Sequence, residues 1–113
     1  MMSEYVNAIE VVKNDKLYDL NLKCCNASGA GVDLTGYSEI RLKIFKSGAA
    51  SCKVDTVANI VVDNASNGEL HYVVQQTDFD KPGAFSVEIQ VTWATGKILT
   101  YRGLTIHVVE EAP

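Results

Sequence analysis

The sequence has no apolar run that approaches the roughly 20 residues that a helix needs to cross a bilayer. Residues 1–7 contain neither a basic leader nor an apolar stretch of the kind that directs secretion. We therefore expect a protein that has no membrane partner and is not exported by the general route. Cysteine is also scarce, and the adjacent Cys24 and Cys25 cannot easily pair with each other in strand geometry. Cys52 makes the number of thiols odd, which favours a reducing compartment.

Basic residues are too few to suggest a nucleic-acid partner. The chain has 10 lysines and arginines against 14 aspartates and glutamates, which gives a formal net charge of -4. The whole excess falls in residues 57–113, where seven acids accompany only Lys81, Lys97 and Arg102. No segment forms the basic patch that binds a phosphate backbone, and an acidic excess of this size mainly keeps a protein soluble. We expect no nucleic acid among the partners.

Residues that carry catalysis or bind metals are sparse. The only histidines are His71 and His107, and the nearest acid on the same strand face is Glu69, two residues before His71. One such pair without a third ligand does not make a metal site, so both histidines are expected at the surface. No Ser-His-Asp set can be assembled, and no glycine-rich loop precedes a helix that would bind phosphate. The residues predict no enzyme activity and no cofactor.

What the sequence does contain is alternation of apolar and polar residues. The strongest case is a hairpin with its turn at Ala94–Lys97 and an extra residue at Arg102-Gly103 that indicates a β-bulge. Its first strand has a face of apolar residues at every second position: Phe85, Val87, Ile89, Val91 and Trp93. A period of two is typical of a strand with one face buried in a core. The pattern predicts an antiparallel sheet.

The rest of the chain repeats this pattern in shorter segments. Seven or eight short strands are separated by turns of glycine, asparagine and aspartate, and Asn67-Gly68 is a strong hairpin signal. The one helical turn that we predict starts at Thr77 as N-cap and ends before Pro82. With 113 residues and no linker, residues 1–113 are expected to form a single all-β domain, an antiparallel β-sandwich of seven to eight strands.

Seven apolar residues are predicted to meet between the two sheets. They are Leu22, Leu42, Tyr72, Phe85, Val87, Ile89 and Trp93. Replacing Phe85 or Trp93 with alanine is then expected to lower the free energy of unfolding by roughly 3 to 5 kcal/mol.

Two resemblances refine this picture. Residues 80–87 are similar to the corner motif of immunoglobulin domains, with Phe85 in place of the tyrosine and Val87 in place of the cysteine. This resemblance implies an immunoglobulin-like sandwich that has neither the corner hydroxyl nor the disulfide between the sheets.

The second resemblance extends from about Asp15 onward and rests on the order of several motifs. These are Val32-Asp-Leu-Thr-Gly36, Ile40-Arg-Leu-Lys-Ile44, Asn67-Gly-Glu-Leu-His-Tyr-Val73, Thr77-Asp-Phe-Asp-Lys-Pro-Gly83, Phe85-Ser-Val-Glu-Ile-Gln-Val91 and Gly96-Lys-Ile-Leu-Thr100. In this order they resemble the N-terminal immunoglobulin-like domain of phage baseplate upper proteins. The resemblance implies a non-enzymatic structural module of a phage or prophage virion, made in the bacterial cytoplasm, whose partners are other tail and baseplate proteins. Longer members of this family continue into a linker and further domains, so a stand-alone protein and a piece of a longer one are both open.

Four residues are candidates for contact with a partner. Phe45 follows the third strand on its polar face, beside Arg41 and Lys43, and an exposed aromatic near two cations is typical of a docking patch. Tyr5 lies in the first strand, residues 5–12, whose pattern is the weakest; we expect this segment to pair with another subunit in a homo-oligomer or to bind a baseplate partner. The alternative function is a carbohydrate or cell-surface binding module, which needs two or three aromatics exposed together.

Overall fold

The computed structural model describes residues 7–46, 49 and 51–110, with side chains in the first strand described from Glu10 onward. These residues form eight β-strands and one single-turn 3-10 helix, Ala65–Asn67, which confirms the all-β prediction. The strands are β1 Asn7–Val12, β2 Asp19–Lys23, β3 Tyr37–Lys46, β4 Val54–Thr56, β5 Ile60–Asn64, β6 Glu69–Val73, β7 Gly83–Trp93 and β8 Ile98–Val109.

The strands form two sheets that pack as a sandwich, as predicted. The larger sheet has the order β1-β8-β7-β3-β4, and the smaller has the order β2-β6-β5. All pairs of neighbouring strands are antiparallel except β1 and β8, which run parallel. A parallel pair needs a long connection, and β1 and β8 have one because they lie at opposite ends of the chain.

The core lies between the sheets and contains six of the seven residues predicted for it: Leu22, Leu42, Tyr72, Phe85, Val87 and Ile89. Trp93 is only partly buried and packs against the edge of the core, so its predicted central place is wrong. The alternation continues to the last residue of β7, but full burial does not extend to that residue. Phe79 and Leu34, which lie in turns, are almost fully buried and complete the core.

The β7–β8 hairpin has the turn and the bulge that the sequence predicts. The amide of Trp93 donates to the carbonyl oxygen of Lys97 over 2.9 Å, and Gly96 has a φ of 92° in the turn between them. The pairing shifts between Val87 and Ile89, opposite the segment that contains Gly103, where φ is 115°. Because the bulge inserts one extra residue into β8, the apolar side chains in the C-terminal half of this strand also face the core.

The turn before β7 differs from the predicted helical turn. Residues 76–79 form a hydrogen-bonded turn without a helix, and the side chain of Asp78, not that of Thr77, holds it. The Asp78 carboxylate is 8% exposed and accepts the Tyr72 hydroxyl over 2.6 Å and the Gln75 amide over 2.8 Å. Burial, and then the hydrogen bond to Asp78, raise the pKa of Tyr72 well above its usual range. A buried carboxylate with two donors satisfies the polar groups of this turn.

Candidate interaction surface

The predicted contact residues of β3 lie on one side of the larger sheet, which we call the outer face. Arg41, Lys43 and Phe45 are half-buried there and alternate with buried residues that point into the core. The strand therefore presents two cations and one aromatic ring at successive outward positions, about 7 Å apart. The structure brings these three predicted residues together.

Phe45 has short polar neighbours across the sheet. It lies opposite Ser86 of β7, which in turn lies opposite Thr105 of β8. Hydroxyl side chains of this size do not cover an aromatic ring, and Phe45 keeps part of its surface exposed. An aromatic ring surrounded by small polar groups offers apolar area that a partner can bury.

The charges of the outer face are arranged in pairs around Lys43. Arg41 donates from Nη1 to the Asp55 carboxylate over 2.8 Å, and Arg102 donates from Nε to Glu88 over 2.7 Å. Lys43 lies opposite Asp55 on one side and Glu88 on the other, yet it forms no ion pair with any described residue. Exposed ion pairs contribute little to stability, so these charged side chains can exchange partners at small cost. The ammonium group of Lys43, which has no ion partner among the described residues, is available to an acidic group of another protein.

Tyr5, the fourth predicted contact residue, lies outside the described residues. The strand assigned to its segment begins at Asn7 and pairs with β8 of the same chain, from Asn7 opposite Leu104 to Val12 opposite Val109. One side of β1 therefore has a partner within the chain, and only its outer edge is open to another strand. Self-association through β1 stays a prediction, restricted to that edge.

Two aromatic residues lie where β7 ends, and their exposure tests the alternative function as a carbohydrate-binding module. Tyr37, which the sequence analysis did not single out, is 41% exposed and lies opposite Trp93. The Trp93 indole donates to the carbonyl oxygen of Thr35 over 3.2 Å, and the Lys97 ammonium lies 4.9 Å from its ring centre. Lys97 thus occupies the face of the ring that a sugar would stack on. Within the described residues, this end of the sandwich exposes one uncovered aromatic ring rather than two or three.

The outer surface of the smaller sheet carries a second polar cluster, centred on His71. The structure pairs His71 with acids on both neighbouring strands: Nδ1 lies 2.8 Å from Asp63 of β5, and Nε2 lies 3.7 Å from Asp19 of β2. Glu69, the acid suggested by sequence spacing, contacts the side chain of Asn67 instead. Cross-strand register, which spacing along the chain does not reveal, selects the partners of His71.

The electrostatics of this cluster predict a pH-dependent stability. The hydrogen bond to Asp63 has the largest effect and raises the pKa of His71; burial opposes it, and the charges of Asp19 and Asp63 add to the rise, so the pKa lies above its usual value. A histidine whose pKa is higher in the folded state stabilises the fold below the unfolded pKa and loses this contribution as the pH rises through the folded pKa. We expect His71→Gln to destabilise the domain at about pH 6 and to have much less effect at about pH 8.5.

Thermal or urea unfolding of both proteins across this pH range measures the effect. Asp63→Asn should reproduce the pH dependence of His71→Gln, because it removes the main partner. His107→Gln on β8 is the matched control, since His107 forms no ion pair within the described part of the chain. An equal loss of stability for His71→Gln at both pH values would contradict the assigned ion pair.

The three cysteines differ in burial: Cys24 is buried, Cys25 is intermediate and Cys52 is exposed. Burial raises the pKa of the Cys24 thiol to about 12, which keeps it protonated and unreactive. Across residues 7–46, 49 and 51–110, no three histidine, cysteine or acidic side chains are grouped so that they could hold a metal ion. No helix of the described chain has the length and apolar character to cross a bilayer.

Comparison with known proteins identifies the family to which this chain belongs. A family model described as the BppU N-terminal domain, from phage baseplate upper proteins, matches residues 3–112. The match covers nearly the whole chain, including all eight strands and the outer face. No curated protein matches the chain significantly.

Proposed function

Because the chain belongs to the family of BppU N-terminal domains, which are structural parts of the phage baseplate, we propose that it acts without catalysis, through contacts with other tail proteins. The family makes it a component of the virion tail. In this proposal the chain is made in the bacterial cytoplasm and is assembled into the baseplate there.

We assign the contact to the outer face, with Phe45, Arg41 and Lys43 at its centre. The observation that carries this assignment is a partly exposed phenylalanine next to an ammonium group that has no ion partner among the described residues. Aromatic and arginine side chains contribute most of the binding energy at protein interfaces, whereas a free lysine at the rim guides an acidic partner into place. Both features occur within one strand here.

The substitution Phe45→Ser tests this assignment. It removes the apolar centre of the outer face without opening the core, because the core positions of β3 are its neighbours Ile44 and Leu42. We expect the affinity for the baseplate partner, measured with the intact chain and the purified partner by calorimetry, to fall roughly 10-fold or more.

Val61→Ser is the matched control. Val61 is an exposed aliphatic residue on a strand of the other sheet, so the change has a similar chemistry on the opposite surface. The control should bind the partner as the natural chain does, and both variants should unfold cooperatively. Unchanged affinity for Phe45→Ser, or an equal loss for Val61→Ser, would show that the outer face is not the contact surface.

A further inference from the structure

β4 is much shorter than the strand it pairs with, and this leaves part of β3 open. Val54–Thr56 pairs with Leu42–Ile44 only, while β3 begins at Tyr37. No described residue pairs with the backbone of residues 37–41 on the side opposite β7, apart from the turn bond from the Tyr37 amide to Leu34. Five residues of a central strand therefore form a sheet edge about 17 Å long, a ready template for another strand.

A cleft lies directly beside this open edge, between the two sheets. Its volume is about 300 Å³, and it is lined by Ile40 and its neighbours on β3 and by Val57, Ile60 and Val62 from the other side. Val57 is 48% exposed, and the cleft is open to solvent on this side. A volume at the lower bound of ligand pockets, with aliphatic side chains from Ile40, Ile60 and Val62, suits the side chains of one short strand.

The negative charge of Glu39 limits which sequences can add to this edge as a strand. Glu39 is the charged residue among those that line the cleft, and it points away from the core, so it faces the outward side chain of an added strand. Two of the open edges of a second copy, β1 and β5, would bring Glu10 or Asp63 towards Glu39, and like charges across a strand pair are destabilising. A basic residue at this position is favoured instead.

We propose that this site, which we call the strand groove, binds an extended segment of a partner protein by β-strand addition. The segment adds to residues 37–41 as a continuation of β4, places apolar side chains at alternate positions into the cleft, and presents a lysine or arginine to Glu39. Main-chain hydrogen bonds supply much of the affinity in this mode, and the side chains in the cleft supply the selectivity. The strand groove adjoins the outer face, since Arg41 belongs to both and its Nε lies 3.8 Å from the Glu39 carboxylate. The proposal does not depend on the virion role.

The probe for this proposal is a synthetic peptide, acetyl-Ser-Thr-Val-Lys-Val-Thr-Ser-amide, added to the intact isotope-labelled chain. We expect saturable changes in amide resonances, with a dissociation constant below about 1 mM, confined to residues 37–41 and 57–62. A peptide with proline in place of the first valine lacks an amide donor and should bind at least about 5-fold more weakly.

The charge of the groove is tested with Glu39→Lys. This variant should reverse the preference between the lysine peptide and its glutamate counterpart, whereas Glu10→Lys, on the far edge of the same sheet, should leave the preference unchanged. The proposal is overturned by an absence of saturable binding, by changes confined to other edges, or by an unchanged preference in Glu39→Lys. Sedimentation that shows a dimer formed through residues 37–41 without peptide would also overturn it, because a second copy would then be the occupant.

Discussion

Replacing Gly68 with alanine is expected to lower the free energy of unfolding by about 3 kcal/mol or more, or to prevent folding. Gly68 has a φ of 72°, in the left-handed region, and a Cβ atom there would lie 2.4 Å from the carbonyl oxygen of Cys24 and 2.9 Å from that of Val32. Both contacts are with backbone atoms, which cannot turn aside as a flexible side chain can. The Gly68 carbonyl also accepts the Cys24 amide over 2.8 Å, so the clash would disturb the attachment of β2.

Gly36→Ala is the control for this substitution. Gly36 has a φ of 83°, but an added Cβ would meet no atom within 4 Å. Its cost should be limited to backbone strain, about 1 to 2 kcal/mol. Urea unfolding of the two variants separates strain from packing, and equal losses would contradict the close approach described at Gly68.

Phe85→Ala is expected to lower the free energy of unfolding by about 3 to 5 kcal/mol. Phe85 is 6% exposed on the middle strand of the larger sheet, and its ring meets that of Phe79 edge to face at a centroid distance of 6.3 Å. Truncation would remove this contact and leave a cavity between two almost fully buried layers. Calorimetric or urea unfolding measures the loss.

Trp93→Ala provides the comparison. The sequence predicts losses in the same range at Phe85 and Trp93, because both continue one alternating face of β7. In the structure Trp93 lies at the edge of the core, partly exposed and capped by Lys97, so its loss should be the smaller of the two. A larger loss at Trp93 than at Phe85 would mean that the core is centred at the other end of the sandwich.

These two residues show how far local patterns predict the fold. Alternation assigns a side chain to the inner or outer face of a strand, and it did so correctly for Phe85 and for the three residues of the outer face on β3. It does not say how deeply each position of a face is buried, and Trp93 is only partly buried. The bulge in β8 was predictable because a shift in the apolar phase at a glycine has a local cause.

Contacts between strands distant in the chain were not predictable in the same way. The parallel pairing of β1 with β8 and the ion pairs of His71 with Asp19 and Asp63 depend on sheet order and register. Register changes which residues meet without changing the pattern of any single strand. For the same reason the sequence indicated Phe45 but gave no sign of the strand groove.

The most direct test of the account is the position of this chain in purified tail particles of the phage or prophage that encodes it. Electron cryomicroscopy of the particles, combined with lysine cross-linking, should show the eight-stranded sandwich in the baseplate and a cross-link from Lys43 to another tail protein. Particles that assemble fully without this chain would contradict the structural role. A baseplate in which the chain is present but its outer face is exposed to solvent would contradict the contact surface.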